Sequence, residues 1–371
     1  AGENEKEVYM KSYIGIGKGK VELAVDEAVR GIGSPVTIIF LSSYAQIKDV
    51  SKILHEKFPK TQIIGTLGTK LANGTYGDDN LVVLGLYEDA KTECGIIRDI
   101  SLCPVASVGK INEMIRKVSP GRDNTVCIEF CTNDEEKLVT TFNSCLAPKG
   151  IKLAGGTVFG APDGKKTVVS YNGKIYEDAC VFAIIKNTTG KADVFKENIY
   201  EKRTDKYHFA NRVDTAKKAV IELDGRAAAD VYSNEVGVPK DKIVENVFNN
   251  PMGRAVGDEV YISSMMDMDS RGALYNYKRI NKNDCIYFLS LGDYKNIEKN
   301  HREEIRRSFS KISLVFSIDC IYRYLLYQNE KYFGTYANDM ASLGGHVGVI
   351  GGGEQFNNQH VNQTMVCAVF E

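Results

Sequence analysis

The sequence predicts an α/β protein of two halves, built from mixed β-sheets covered by helices. Two observations carry this. Short β-branched runs alternate with amphipathic stretches, the pattern of strands packed under helices. One unit, an apolar strand, a helix, a glycine-punctuated strand and a closing apolar strand, also recurs three times. At 371 residues, 43% hydrophobic and 26% charged, the chain has an ordinary globular composition and enough length to bury a large core.

The first unit places strand VTIIFL at 36–41, a helix over 47–57, strand IIGTLG at 63–68 and strand LVVLGL at 81–86. The second has VCIEF at 126–130, a helix over 135–146, IKLAGGTVFG at 151–160 and ACVFAII at 179–185. The third has ISLVF at 312–316, a helix over 321–332, VGVIG at 347–351 and TMVCAVF at 364–370. A further helix precedes each first strand, over 21–29, 108–118 and 295–308. The closing strand follows its glycine strand after a turn, so antiparallel pairs are expected among the parallel ones.

Residues 192–290 break the rhythm. A strand, an Asp224-Gly225 turn and a helix through Tyr232 come first. A turn at Asn250-Pro251-Met252-Gly253 follows, then a strand pair around 261–265 and 273–277. This stretch reads as a connector between an N-terminal half, 1–220, and a C-terminal half, 221–371.

The net charge of −1 offers no global field for nucleic acid. No apolar run approaches the roughly 20 residues needed to cross a bilayer, so no membrane insertion is expected. The chain opens Ala1-Gly-Glu-Asn without methionine and closes directly after its last strand, as a domain excised from a longer protein would. Nine cysteines, an odd number scattered through apolar runs, read as reduced buried thiols in the cytoplasm.

Catalytic and metal motifs are not met. The stretch at Gly15-Ile-Gly17-Lys18-Gly19 lacks the spacing and the Ser or Thr of a phosphate loop. Asp267-Met-Asp269-Ser-Arg271 begins like a calcium loop, but Arg271 and Lys278 stand at ligand positions, so it reads as a hairpin turn. The five histidines show no metal spacing, and Cys320 sits among apolar residues as a packed thiol. No enzyme is expected.

What remains is the end of the chain. A glycine run, Gly351-Gly352-Gly353, carries Glu354 and is followed by Asn362 and Thr364, with His346 and His360 nearby. Arg323 opens the helix after the third unit's first strand, at the strand end where ligands gather in doubly wound sheets. This set is expected to bind a ligand, Arg323 gripping a carboxylate and Glu354 receiving an ammonium.

The order and spacing of several stretches resemble the FIST domain of signal-transduction proteins. They are IIGTLG at 63–68, Ala154-Gly155-Gly156, Tyr171-Asn-Gly173, the run 220–232, Asn250-Pro-Met-Gly253, Cys320 with Arg323, and Glu354 through Asn362-Gln-Thr364. The resemblance covers both FIST halves. It implies a cytoplasmic or membrane-tethered input module, taken here as cytoplasmic, that binds an amino acid or related small metabolite and passes the signal to a C-terminal output domain absent from this chain, a bacterial chemoreceptor (methyl-accepting chemotaxis protein) first among them. It also implies two alternatives, a haem-dependent nitric oxide sensor and a protein-interaction scaffold. No cofactor is expected, haem being the exception to test, and a homodimer is the oligomer to test. Two positions differ from the family pattern. Val361 stands where a histidine is common, with His360 displaced onto the other strand face, and Ser263 and Ser264 stand where an arginine is common.

Overall fold

The computed structural model describes residues 8–371. The first unit has a lead strand Ser12–Lys18, helix α1 (Val21–Ala28), first strand Thr37–Ser42, helix α2 (Ile47–Lys57), glycine strand Gln62–Leu67, a hairpin of Lys70–Ala72 and Thr75–Gly77, and closing strand Asn80–Leu86. The second repeats it with Ala90–Arg98, α3 (Val108–Val118), Thr125–Cys131, α4 (Glu135–Leu146), Lys152–Thr157, a hairpin of Val169–Tyr171 and Lys174–Tyr176, and Ala179–Asn187. In the third, lead strand Ala192–Glu197 is followed by an insert carrying α5 (Ala228–Val236). The unit then resumes with α6 (Tyr294–Arg307), Leu314–Cys320, α7 (Ile321–Asn329), α8 (Phe333–Ala341), Gly345–Gly351, a hairpin of Glu354–Phe356 and Gln359–Val361, and Met365–Phe370.

The helices form where the apolar spacing demands them. In α3, Ile111, Met114, Ile115 and Val118 are buried, and in α2 Ile47, Val50, Ser51 and Leu54 are, one stripe of a 3.6-residue period each. The strands under them are buried on both faces, hence their continuous apolar runs.

Each unit's sheet has six strands in one order: lead, closing, first, glycine, then the two strands of a hairpin. First and glycine strands run parallel and the other neighbours antiparallel in all three sheets. The hairpin, however, always comes from another unit. The first unit's hairpin completes the third sheet, the third's completes the second, and the second's completes the first. The recurrence in the sequence is therefore a three-fold internal repeat closed by cyclic exchange of hairpins.

One asparagine fastens each exchange. Asn73, Asn172 and Asn357 sit at the hairpin tips with φ of 47°, 44° and 53°, a region asparagine enters more readily than most residues. Each bonds both backbone groups of the second residue of the receiving glycine strand. Asn73 holds His346 (2.9 and 2.9 Å), Asn172 holds Ile63 (2.9 and 2.9 Å) and Asn357 holds Leu153 (3.1 and 3.1 Å). The glycines of these strands make room for the neighbouring parallel strand. A Cβ on Gly155 would lie 1.9 Å from Glu129 Oε1, and one on Gly348 would lie 2.5 Å from Ser317 Oγ.

Residues 200–291 lie within the third unit, between its lead strand and α6. They form two five-stranded sheets of their own. The 267–272 hairpin turn is present between paired strands Met265–Met268 and Leu274–Asn276. The proposed turn at 250–253 is corrected in part: Met252 and Gly253 already belong to a strand, Met252–Val256, paired with Glu259–Ser263. A cut after residue 220 would remove the closing partner of Ala192–Glu197 and the hairpin that completes the second sheet. We expect a chain of residues 1–220 to give no cooperative transition in a circular-dichroism melt, whereas the full chain melts cooperatively.

Candidate ligand site

The residues expected to bind a ligand fall into three places. Arg323, 1% exposed, lies inside the third unit. Its Nη2 meets Glu197 and, at 2.8 Å, Glu298, while Nε meets Asp319 at 3.0 Å. Its guanidinium lies 5.0 and 5.1 Å from the ring centroids of Tyr327 and Tyr336. Tyr332 and Tyr336 donate to Glu298 and Asp319 at 2.7 and 2.8 Å. The expectation that Arg323 grips a ligand is thus corrected: the spacing that puts it at a strand end also surrounds it with internal carboxylates. Burial pushes Glu298 up to about 7 and Asp319 up to about 6, with Arg323 opposing in each case.

His346 stands at the start of its strand, pinned by Asn73, with Nε2 2.7 Å from Ser317 Oγ. Six residues of extended chain, about 20 Å, separate it from Gly352, so it is not part of the glycine-run cluster. Burial lowers its pKa to about 4.

Glu354, His360, Asn362 and Thr364 do come together, on the hairpin laid against the second unit. Glu354 Oε1 accepts from the Thr364 N–H at 2.8 Å and from its hydroxyl at 2.7 Å. Burial raises the Glu354 carboxyl well above its usual range, against the Thr364 hydrogen bonds. Gly353, at φ 146°, lets two side chains close in: a Cβ there would lie 2.6 Å from His360 Cε1 and 3.1 Å from Asn362 Nδ2. Asn362 Oδ1 accepts from the Ser264 N–H at 2.9 Å. Glu354 Oε2, His360 Nε2 and Asn362 Nδ2 are buried with no partner among the described residues.

From this cluster a chain of polar contacts leads outward. His360 Nδ1 meets Gln355 Nε2 at 2.9 Å, which donates to Thr157 Oγ1 at 3.1 Å, which donates to Glu135 Oε1 at 3.0 Å. Lys218 then joins Glu135 and Glu136 at 3.1 and 3.3 Å. Glu135, Glu136 and Lys218 border a cleft of about 560 Å³ at the N-terminus of α4, lined also by Asn133, Thr215 and Arg279.

The segment 276–279 of the insert crosses the same place. Arg279 donates its N–H to Glu136 Oε1 at 2.7 Å, and its buried Nε has no partner. Lys278 of the same segment is 3% exposed. Burial lowers its pKa to about 8, against the pull of Glu136, and its charge reaches His360. Sequence reasoning met Lys278 only as a cation that spoils a calcium loop. It missed Glu135, Glu136, Lys218 and Arg279 because each is an ordinary surface residue until the insert folds over α4.

Of the two histidines expected to hold a haem, His346 has its Nε2 engaged by Ser317.

Arg323→Ala is expected to destabilise the protein by about 3–5 kcal/mol, the cost of stranding buried charges, as measured by urea unfolding. Glu298 adds a pH signature. Between its unfolded value near 4.3 and its folded value near 7, only the folded state keeps the proton, so stability falls as pH rises through that window. Glu298→Gln should flatten the fall.

The chain matches the FIST N domain over residues 35–226 and the FIST C domain over residues 228–357. No curated protein matches it. Among solved structures, T. maritima PurL complexed with ADP is 11% identical, aligned over 98% of this chain and 72% of that one, at a TM-score of 0.20. PurLQS from Thermotoga maritima is 11% identical over the same shares, at a TM-score of 0.19. The two domain matches together span most of the sequence, and the chain belongs to the FIST family of signal-transduction sensor domains, which bind small ligands.

Proposed function

We propose that this chain is a cytoplasmic input domain that binds an amino acid or related small carboxylate in the cleft at the N-terminus of α4. The single observation that carries the reading is a set of buried polar atoms with no partner among the described residues, Arg279 Nε, Glu354 Oε2, His360 Nε2 and Asn362 Nδ2, with the buried Lys278 close enough for its charge to act on His360. A buried polar group without a partner is costly, and retaining one is explained by a ligand that completes it. Charge bookkeeping agrees. Three cationic side chains, Lys218, Lys278 and Arg279, come to the two carboxylates Glu135 and Glu136. One carboxylate balances the set. It would sit on Lys278 and Arg279, with the ligand's polar end toward Asn362 and His360.

The cleft draws on three parts of the chain: α4 of the second unit, the hairpin of the third, and the insert. A ligand that bridges them favours the arrangement in which they are closed. That difference is what a sensor transmits to an output domain, a chemoreceptor in the reading we favour.

A thermal-shift screen against amino acids, small carboxylates and haem tests this, with Lys278→Met and Asn362→Ala alongside. An amino acid or carboxylate should raise the melting temperature of the wild type, and both variants should weaken its binding about ten-fold or more. Wild-type indifference to the amino acids and carboxylates, or undiminished affinity in both variants, would sink the assignment. Lys278→Met has a second signature. A lysine lowered to about 8 costs roughly 3 kcal/mol at neutral pH, a penalty relieved as pH rises from 8 toward 10. The ligand-free variant should therefore be more stable than the wild type at pH 7 and lack that rise.

A further inference from the structure

The three-fold repeat makes the Lys278 cleft one of three equivalent seams, each lying where a unit's hairpin crosses to its neighbour. The tip asparagines fix the equivalence. Lys70 and Glu354 each stand three residues before Asn73 and Asn357, and Asp78 and Asn362 each stand five residues after. In the second unit the residue three before Asn172 is Val169, fully buried, so that seam has an apolar floor. The first unit's seam is polar. A cleft of about 340 Å³ opens there, the scale of one small molecule, lined by Thr69, Lys70 and Asp78 of the first unit with Tyr44, Phe159 and Tyr324 around them.

Its floor is built. Lys70 is 1% exposed and donates from Nζ to the Asp78 carbonyl at 2.6 Å. Thr69 donates to Asp78 Oδ1 at 2.5 Å, which leaves Asp78 Oδ2 without a partner among the described residues. Ser42 Oγ and Asn80 Oδ1, at the positions of Asp319 and Thr364 in the third unit, are buried and unpartnered. The walls are aromatic: Phe159 is 45% exposed, and Tyr44 and Tyr324 are half-buried. Phe159 comes from the second unit and Tyr324 from α7 of the third, so all three units meet at this cleft.

We propose that this cleft is a second small-molecule site, taking a zwitterion with an aromatic side chain. The carboxylate meets the Lys70 ammonium, the ligand ammonium meets the exposed Asp78 carboxylate, and the ring lies against Phe159, Tyr44 and Tyr324. Nothing in this requires the Lys278 cleft to be occupied.

Fluorine NMR with para-fluoro-L-phenylalanine as the probe tests it on the full chain and on Lys70→Met, Asp78→Asn, Phe159→Ser and Lys278→Met. Asp78 and Phe159 are exposed, so those variants keep the fold even if Lys70→Met does not. The probe should bind the wild type and Lys278→Met alike, and at least about ten-fold more weakly to Asp78→Asn and Phe159→Ser. No binding to the wild type at millimolar probe, or wild-type affinity in Asp78→Asn and Phe159→Ser, overturns the second site. Loss on Lys278→Met alone would overturn it too, by placing the probe in the first cleft and leaving that reading intact.

Discussion

Every sheet of the three-fold core is finished by a hairpin that belongs to another unit. This constraint governs the rest of the molecule. A unit folded alone would leave its glycine strand as a bare edge and its hairpin without a sheet, so the units gain stability only together. The asparagine clasps make the exchange specific. Each offers two hydrogen bonds to one residue, at about 1 kcal/mol apiece, and each uses a backbone conformation that most side chains resist. The same crossing creates the seams. Because a hairpin leaves its own unit just after the glycine strand, the residue at its start is held between two units, and the protein has placed an acid, a lysine and a valine in those three positions.

The third unit carries an additional burden, since roughly ninety residues separate its lead strand from the rest. The Arg323 cluster closes that gap. It joins the lead strand through Glu197, α6 through Glu298, the first strand through Asp319, and α8 through Tyr336. The inward stripe of α6 is accordingly Glu298, Arg302 and Ile305, charged where a helix of the other units is apolar. Buried charges that are paired and hydrogen-bonded fix one arrangement of their elements rather than adding much stability. At the α4 seam, Arg279 Nε, Asn362 Nδ2 and His360 Nε2 are buried without a partner among the described residues.

The sequence by itself determined the elements. The strand and helix runs of all three units, the helix before each first strand, the unpaired cysteines and the FIST resemblance are all legible, because apolar periodicity reports which face of a local element is buried. Only the tertiary structure decided the partners. Which sheet a hairpin joins is a matter of register between segments far apart in the chain, and local pattern does not encode it. Residues 200–291 read as a connector in the chain, and the structure places them inside the third unit. Arg323 shows the limit most directly. Its place at a strand end was readable, but Glu197 and Glu298 lie 126 and 25 residues away, and they, rather than a ligand, answer its charge. Lys278 is the converse, an unremarkable lysine in the chain that becomes buried, with the charge of Glu136 acting on it, only when the insert folds across α4.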